Sequence, residues 1–302
     1  MERKKALILL NEQAGKKKGP QSIMSMIRKA AVSGYETTVF PIIPGELNSE
    51  DILRDFDGRT DLVICVGGDG TLNHVVSGTM SMETKPVLGY IPSGSTNDFS
   101  KSLGIPSGFP KALDAIFAGE RFPYDLGKMN GDKYFNYTAA FGAFSEISYG
   151  TDQKLKNALG YAAYLLTAAS QLSENLGFKR HLKIEADGFE EEGDYLFGTV
   201  SNSVSIGGMD FLKSFDVKLD DGKMELLLIR SPKKAVELSA VISALMRGDV
   251  NDPHISFHQV SHVTLIADEE LAWSIDGEYG GSSLKTEIEV LPGAVTIMRG
   301  QN

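Results

Sequence analysis

Residues 1–125 alternate short β-prone apolar runs with helical patterns, and this alternation restricts the fold more than any other feature of the chain. KKALILL reads as a strand, QSIMSMIRKAAVSG as an amphipathic helix ended by Gly34, and YETTVFPI as a second strand. EDILRDF is helical, DLVICVGG is a buried strand, and LNHVVSGTMS is a helix that starts near Thr71. KPVLGYIPSG supplies a further strand and turn, and PKALDAIFAGE a further helix. Strands that alternate with helices at this spacing imply a parallel sheet covered by helices on both faces.

The pattern changes after PYDLGKMNGDKYF. Apart from one helical stretch, NALGYAAYLLTAASQL, the rest is rich in short β segments. HLKIEAD, DYLFGTVSNS, GKMELLLIR, HVTLIAD and LAWSIDGE are separated by Gly and Asp turns, as in an antiparallel sandwich. The expected organisation is an α/β domain over 1–128 and a mainly antiparallel β-sandwich domain over 129–292. The last segment, AVTIMRG, can close either one, so 293–302 is free to return to the first domain.

Composition removes several function classes. The 302 residues carry a net charge of −10, with no basic stripe of the kind a nucleic-acid binder needs. The single cysteine, Cys65, excludes an internal disulfide framework and a CxxC metal site, and points to a reducing, cytoplasmic setting. ALILL is too short for a signal core, and no run approaches the roughly 20 apolar residues of a spanning helix. A soluble protein is expected. His254, His258 and His262 recur every four residues, but on strand-like sequence, and read as surface residues rather than a zinc set. Lys16, Lys17 and Lys18 suit either a solvated loop or contact with phosphate or anionic lipid.

Two glycine-rich loops carry the chemistry. In VICVGGDGTLNHVVSG a buried strand runs into Gly67, Gly68, Asp69, Gly70 and Thr71, then a helix carrying Asn73. Such a turn closes backbone N–H groups around phosphate, at the strand end where ligands of α/β sheets sit. There is no G-x-x-x-x-G-K-[ST], and a dinucleotide fingerprint would need glycine where Asn73 stands. A carboxylate among phosphate-binding amides makes sense if a divalent cation lies between them, as in Mg-ATP. Asp69 is otherwise a cap on the helix. The second loop, GYIPSGSTNDFSKSLGIP, repeats the logic with Gly94, Ser95, Asn97 and Asp98.

Further on, Asp220-Asp221-Gly222 has the form of a hairpin turn. In WSIDGEYGG, Asp276 and Glu278 stand two apart, and in an extended strand both carboxylates would share one face.

The ordered set resembles the diacylglycerol kinase catalytic-domain family, in particular its soluble bacterial lipid kinases. GGDGTLNHVVSG and IPSGSTNDFSKSLGIP carry the likeness first. FNYTAAFGAFSEI is similar to the opening of that family's second domain, LDDGKMELLLI to its aspartate-rich hairpin, and IDGE to its late acidic motif. The resemblance implies an ATP- and Mg2+-dependent lipid kinase that works at a membrane surface without spanning it, with a homodimer compatible. It implies nucleotide contacts from Asn11, Gly15 and the two glycine loops. It makes Glu278 the general base, with Asp69 and Asp276 supporting the reaction. It implies a structural Mg2+ held by Asp221 and the backbone carbonyls of Lys218 and Lys223. Two other functions share parts of the pattern: an NAD kinase, which also has GGDGT, and a nucleotide sensor without turnover.

Overall fold

The structure is a computed structural model that describes residues 3–11, 20–94, 97–142, 179–204 and 217–300. The chain divides into two compact units, residues 1–124 with 293–302, and residues 125–292.

In the first unit, β1 (Lys4–Asn11) runs parallel to β2 (Tyr35–Ile42) and to β3 (Leu62–Gly67). β3 in turn runs parallel to β4 (Val87–Pro92). The end of β13 (Glu278–Arg299) adds a parallel pairing of Ile297 with Leu88. Leu7, Ile8, Leu9, Val63, Ile64 and Cys65 are all buried, as strands covered on both faces require.

The helices are α1 (Pro20–Val32), α2 (Ser49–Asp55), α3 (Asp69–Met80), α4 (Asp98–Ser102) and α5 (Phe109–Ala118). The strand order β2-β1-β3-β4 reverses direction after β2. Right-handed crossovers then put α1 on one face of the sheet and α2 and α3 on the other. Lys29 of α1 pairs with Asp114 of α5 at 2.7 Å, whereas Leu53 of α2 packs under Gly78 of α3 so closely that a Cβ there would meet it at 2.6 Å.

The second unit is antiparallel. β5 (Glu120–Met129) enters it and pairs with β6 (Lys133–Phe135). The remaining strands are β7 (Thr138–Gly142), β8 (Arg180–Ala186), β9 (Phe189–Ser201), β10 (Met224–Arg230), β11 (Ile255–Val260) and β12 (His262–Ile275). They run β11-β10-β9-β7-β12-β13, with β8 pairing both β9 and β12. Phe141 and Trp273 meet edge to face at 5.1 Å in one core.

Two expectations need correction here. HVTLIAD and LAWSIDGE are not separate strands: β12 runs unbroken from His262 to Ile275, its register against β13 shifting between Ile266 and Leu271. A helix over 235–246 was also not foreseen. This α6 (Ala235–Met246) packs Leu238, Val241 and Ala244 on Leu227 and Ile229, while Leu226 and Leu228 of the same strand face the other core. β10 is therefore buried on both sides, and its unbroken LLLI run needed a cover on its second face.

Candidate active site

Between β1 and β3 the crossovers leave in opposite directions, which opens the crevice where ligands bind in open α/β sheets. The side chains there span that point: Asn11 Nδ2 donates to Thr71 Oγ1 at 2.7 Å. Gly67 is obligatory, because a Cβ would lie 2.4 Å from that of Thr71. Gly68 is the N-cap of α3 and makes no side-chain capping bond; the helix begins at Asp69, two residues before the expected start.

The loops after β3 and β4 touch backbone to backbone. A Cβ on Gly94 would stand 2.7 Å from Gly68 Cα, and the Ser93 N–H donates to the Gly67 carbonyl at 2.7 Å. Asn97 holds the second loop shut in the left-handed region (φ 48°), accepting the Gly94 N–H at 2.9 Å and donating to the Gly94 carbonyl at 3.0 Å.

Asp69 and Asp98 are both buried, and the Asp69 carboxylate accepts the Asp98 N–H at 3.0 Å. Asp69 is thus not a simple cap: its carboxylate joins the two loops. Asp98 also pairs with Lys101 Nζ at 3.1 Å. Burial first, then the Asp69 charge, pushes the Cys65 thiol and the Tyr90 phenol well above their usual ranges, so both stay protonated at neutral pH. Gly70 lies in the first turn of α3, and Asn73 one turn after Asp69. Gly15, Ser95, Lys16 to Lys18 and the helical stretch NALGYAAYLLTAASQL lie outside the described residues.

In the second unit the expected shared face of Asp276 and Glu278 does not form. Asp276 (φ 48°) and Gly277 (φ 87°) make the two-residue turn between β12 and β13, with Ile275 paired to Glu278. Asp276 is only 4% exposed, and Glu278 is exposed. The Asp276 carboxylate accepts four hydrogen bonds: from the Asn136 N–H and Nδ2 at 2.7 and 3.1 Å, and from the Tyr137 and Thr138 N–H groups at 3.1 and 3.0 Å. It clamps the start of β7 and fixes the turn that presents Glu278.

The 218–223 turn is built similarly, around a residue that sequence reasoning missed. Asp125 is fully buried; its Oδ2 accepts the Gly222 N–H at 2.6 Å, and its own N–H donates to the Leu219 carbonyl at 2.8 Å. Asn202 Nδ2 donates to the Asp125 and Leu219 carbonyls at 2.8 and 3.3 Å. Asp221 is exposed and accepts the Lys223 N–H at 3.1 Å. A carboxylate and backbone carbonyls, such as Asp221 and the carbonyls of Lys218 and Lys223 could offer, are the oxygen ligands that Mg2+ takes. Among the described residues no group of three or more His, Cys, Asp or Glu side chains is arranged to hold a metal ion. His254 pairs with Asp252 at 3.0 Å, and His258 stacks on Phe189.

The chain thus joins an α/β unit with two apposed glycine loops to an antiparallel unit with clamped acidic turns. Residues 5–129 match the diacylglycerol kinase catalytic domain, and residues 145–299 match the YegS C-terminal NAD kinase beta sandwich-like domain. The chain belongs to the diacylglycerol kinase catalytic-domain family. It is 34% identical over 283 residues to a diacylglycerol kinase of Bacillus subtilis (strain 168), covering 92% of this chain and 91% of that one. It is 32% identical over 295 residues to a diacylglycerol kinase of Staphylococcus carnosus (strain TM300), covering 95% of each. A solved structure described as a candidate diacylglycerol kinase of Bacillus anthracis str. Sterne superposes with a TM-score of 0.83 at 26% identity, over 99% of this chain and 96% of that one.

Proposed function

We propose that the protein is an ATP- and Mg2+-dependent lipid kinase that transfers the γ-phosphoryl group to a lipid hydroxyl, of diacylglycerol or a related lipid. The observation that carries this reading is the junction of the two glycine loops, where Gly68 and Gly94 bring backbone against backbone and Asp69 bonds to the Asp98 N–H. The lack of a Cβ at Gly68 and Gly94 lets a phosphate approach the first turn of α3 closely, and Asp69 is the carboxylate to hold the nucleotide's cation. When bound, Mg2+ would supply charge neutralisation on the phosphates.

The remaining work falls to the chain. Asn11 and Thr71 fix the crevice between the two strand ends, and Asn97 keeps the second loop closed on itself. Glu278 is the general base for the acceptor hydroxyl, held in place by the Asp276 clamp. Asp221 with the Lys218 and Lys223 carbonyls would hold a second, structural Mg2+ in the turn that Asp125 anchors.

A lipid acceptor requires the protein to visit a membrane surface. That visit is read as transient and from the cytoplasmic side; among the described residues no helix is long and apolar enough to cross a membrane. The deciding experiment is incubation with labelled ATP and a total lipid extract, followed by identification of the phosphorylated species. Label in a lipid supports the reading. Transfer to NAD instead would make it an NAD kinase, and nucleotide binding without transfer to any acceptor would make it a sensor.

A further inference from the structure

A cavity of about 560 Å3 opens at the opposite end of the parallel sheet of the first unit. It lies where the strands begin, lined by Lys4 of β1, Tyr35 of β2, Leu62 of β3 and Val87 of β4. The glycine loops sit at the other strand ends, about 20 Å away along a strand of this length. The size is that of a small-molecule site.

The charge of the lining is unusual for this chain. Arg3, Lys4 and Arg121 line the cavity, and no carboxylate does among the described residues, in a protein of net charge −10. These three side chains take no ion pair among the described residues, whereas the acids nearby are engaged. Glu120 pairs with Arg299 at 2.8 Å, and Asp61 accepts the Lys5 N–H at 2.7 Å. At the helix ends nearby, the Ser33 and Gly34 N–H groups take the Lys29 and Ala31 carbonyls of α1, and the Gly119 N–H takes the Ala115 carbonyl of α5. Beside the charges, Tyr35 and Phe117 form an edge-to-face pair at 5.8 Å, with Ile116 and Met298 adding apolar wall.

We propose that this cavity is a second binding site, for an organic phosphomonoester: the phosphate on Arg3, Lys4 and Arg121, the organic part against Tyr35 and Phe117. An arginine fork and an ammonium suit the dianionic head, and the aromatic pair suits either a base or an acyl-glycerol portion. The ligand comes from one of two sources, a soluble nucleotide or a membrane lipid with a terminal phosphate. The inference stands independently of the kinase reading, because none of its residues belongs to the glycine loops.

The test is titration calorimetry of the full chain with AMP and, separately, with dioctanoyl phosphatidate below its micelle concentration. Each is repeated with the exposed-site variants Arg121→Gln and Arg3→Gln/Lys4→Gln/Arg121→Gln, their folding checked by melting temperature. Loss of a charge-assisted contact weakens such binding about tenfold or more. The expected result is one binding event, for AMP or for phosphatidate, that weakens by at least that factor in both variants. Any event at the glycine loops stays unchanged. Sensitivity of the AMP event alone identifies a soluble source, and of the phosphatidate event alone a membrane source. Affinities unchanged in the triple variant, or no binding of either ligand by the wild-type chain, overturn the proposal.

Discussion

The carboxylate of Asp69 and the backbone N–H of Asp98, 29 residues apart in sequence, meet at 3.0 Å and tie the two glycine loops together. This makes the charge and the hydrogen-bonding capacity of Asp69 separable. Asp69→Asn keeps an oxygen for the Asp98 N–H but removes the charge for a cation, so the melting temperature should hold while phosphoryl transfer is lost. Asp69→Ala should lose transfer and also leave a buried N–H unsatisfied, at a cost of about 1–3 kcal/mol in urea unfolding. An Asn variant with normal turnover would reduce Asp69 to a structural tie.

Glu278 is exposed at the head of β13, so replacing it should leave stability unchanged. General-base assistance is worth about 10²–10⁴-fold in rate. Glu278→Gln should lose turnover by that order while ATP affinity, measured by calorimetry, stays the same. Turnover within a few-fold of wild type would shift the role of base to another carboxylate.

Asp276 should behave in the opposite way. It accepts three backbone N–H groups and one side-chain amide in a buried site, at a positive φ that Asn tolerates and Ala does not. Asp276→Ala should destabilise the chain by several kcal/mol, of the order of about 3–5, and Asp276→Asn should also be costly, because its NH2 would face two N–H donors. Unfolding midpoints of both variants close to that of wild type would contradict the clamp.

Asp221 is tested by metal removal. If the 218–223 turn holds a structural ion, EDTA should lower the melting temperature of the wild-type chain, and Asp221→Ala should already be lowered and respond little. Equal shifts in both would leave the turn as a turn.

Glu225 gives a pH dependence. It is 2% exposed on β10, and burial first, with the Asp221 charge adding to it, raises its carboxyl from 4.5 to about 7. A folded-state value above the unfolded one means that the native state binds the extra proton between these two values. Stability is therefore full below about pH 4.5 and falls as pH rises to about 7, by no more than about 3 kcal/mol. In EDTA, unfolding free energies of wild type and Glu225→Gln should diverge across that window, with the variant losing less. Parallel pH profiles would remove the assignment.

The central strands of the first unit could be read from sequence because they are buried on both faces and so form unbroken apolar runs, from Leu7 to Leu9 and from Val63 to Val66, while the half-exposed β2 was read from its β-prone residues. α6 was hidden for a related reason. Its AVELSAVISALM is apolar almost all round and follows an apolar strand, so its periodicity is weak, although Glu237 does accept the Lys233 and Lys234 N–H groups at its start. At the site, Gly67, Gly68 and Asp69 were legible because a local strand-to-helix turn dictates them. The pairing of Asp276 with Glu278 failed because alternation holds only in an extended strand, and Asp-Gly here makes a tight turn. Asp125 was missed because its partners, Leu219 and Gly222, are remote in sequence and leave no local pattern.

The second unit is a contiguous insertion, whereas the first is made of residues 1–124 and 293–302. During synthesis every residue of 125–292 leaves the ribosome before the strand that pairs Ile297 with Leu88 exists. Until then the β4 edge has its backbone groups unpaired on that side, open to the wrong neighbour. Arg299 fastens this last strand, stacked on Phe122 at 3.7 Å and paired with Glu120. The nascent chain therefore depends on residues 293–299 to seal the sheet that β1, β3 and β4 have already laid down.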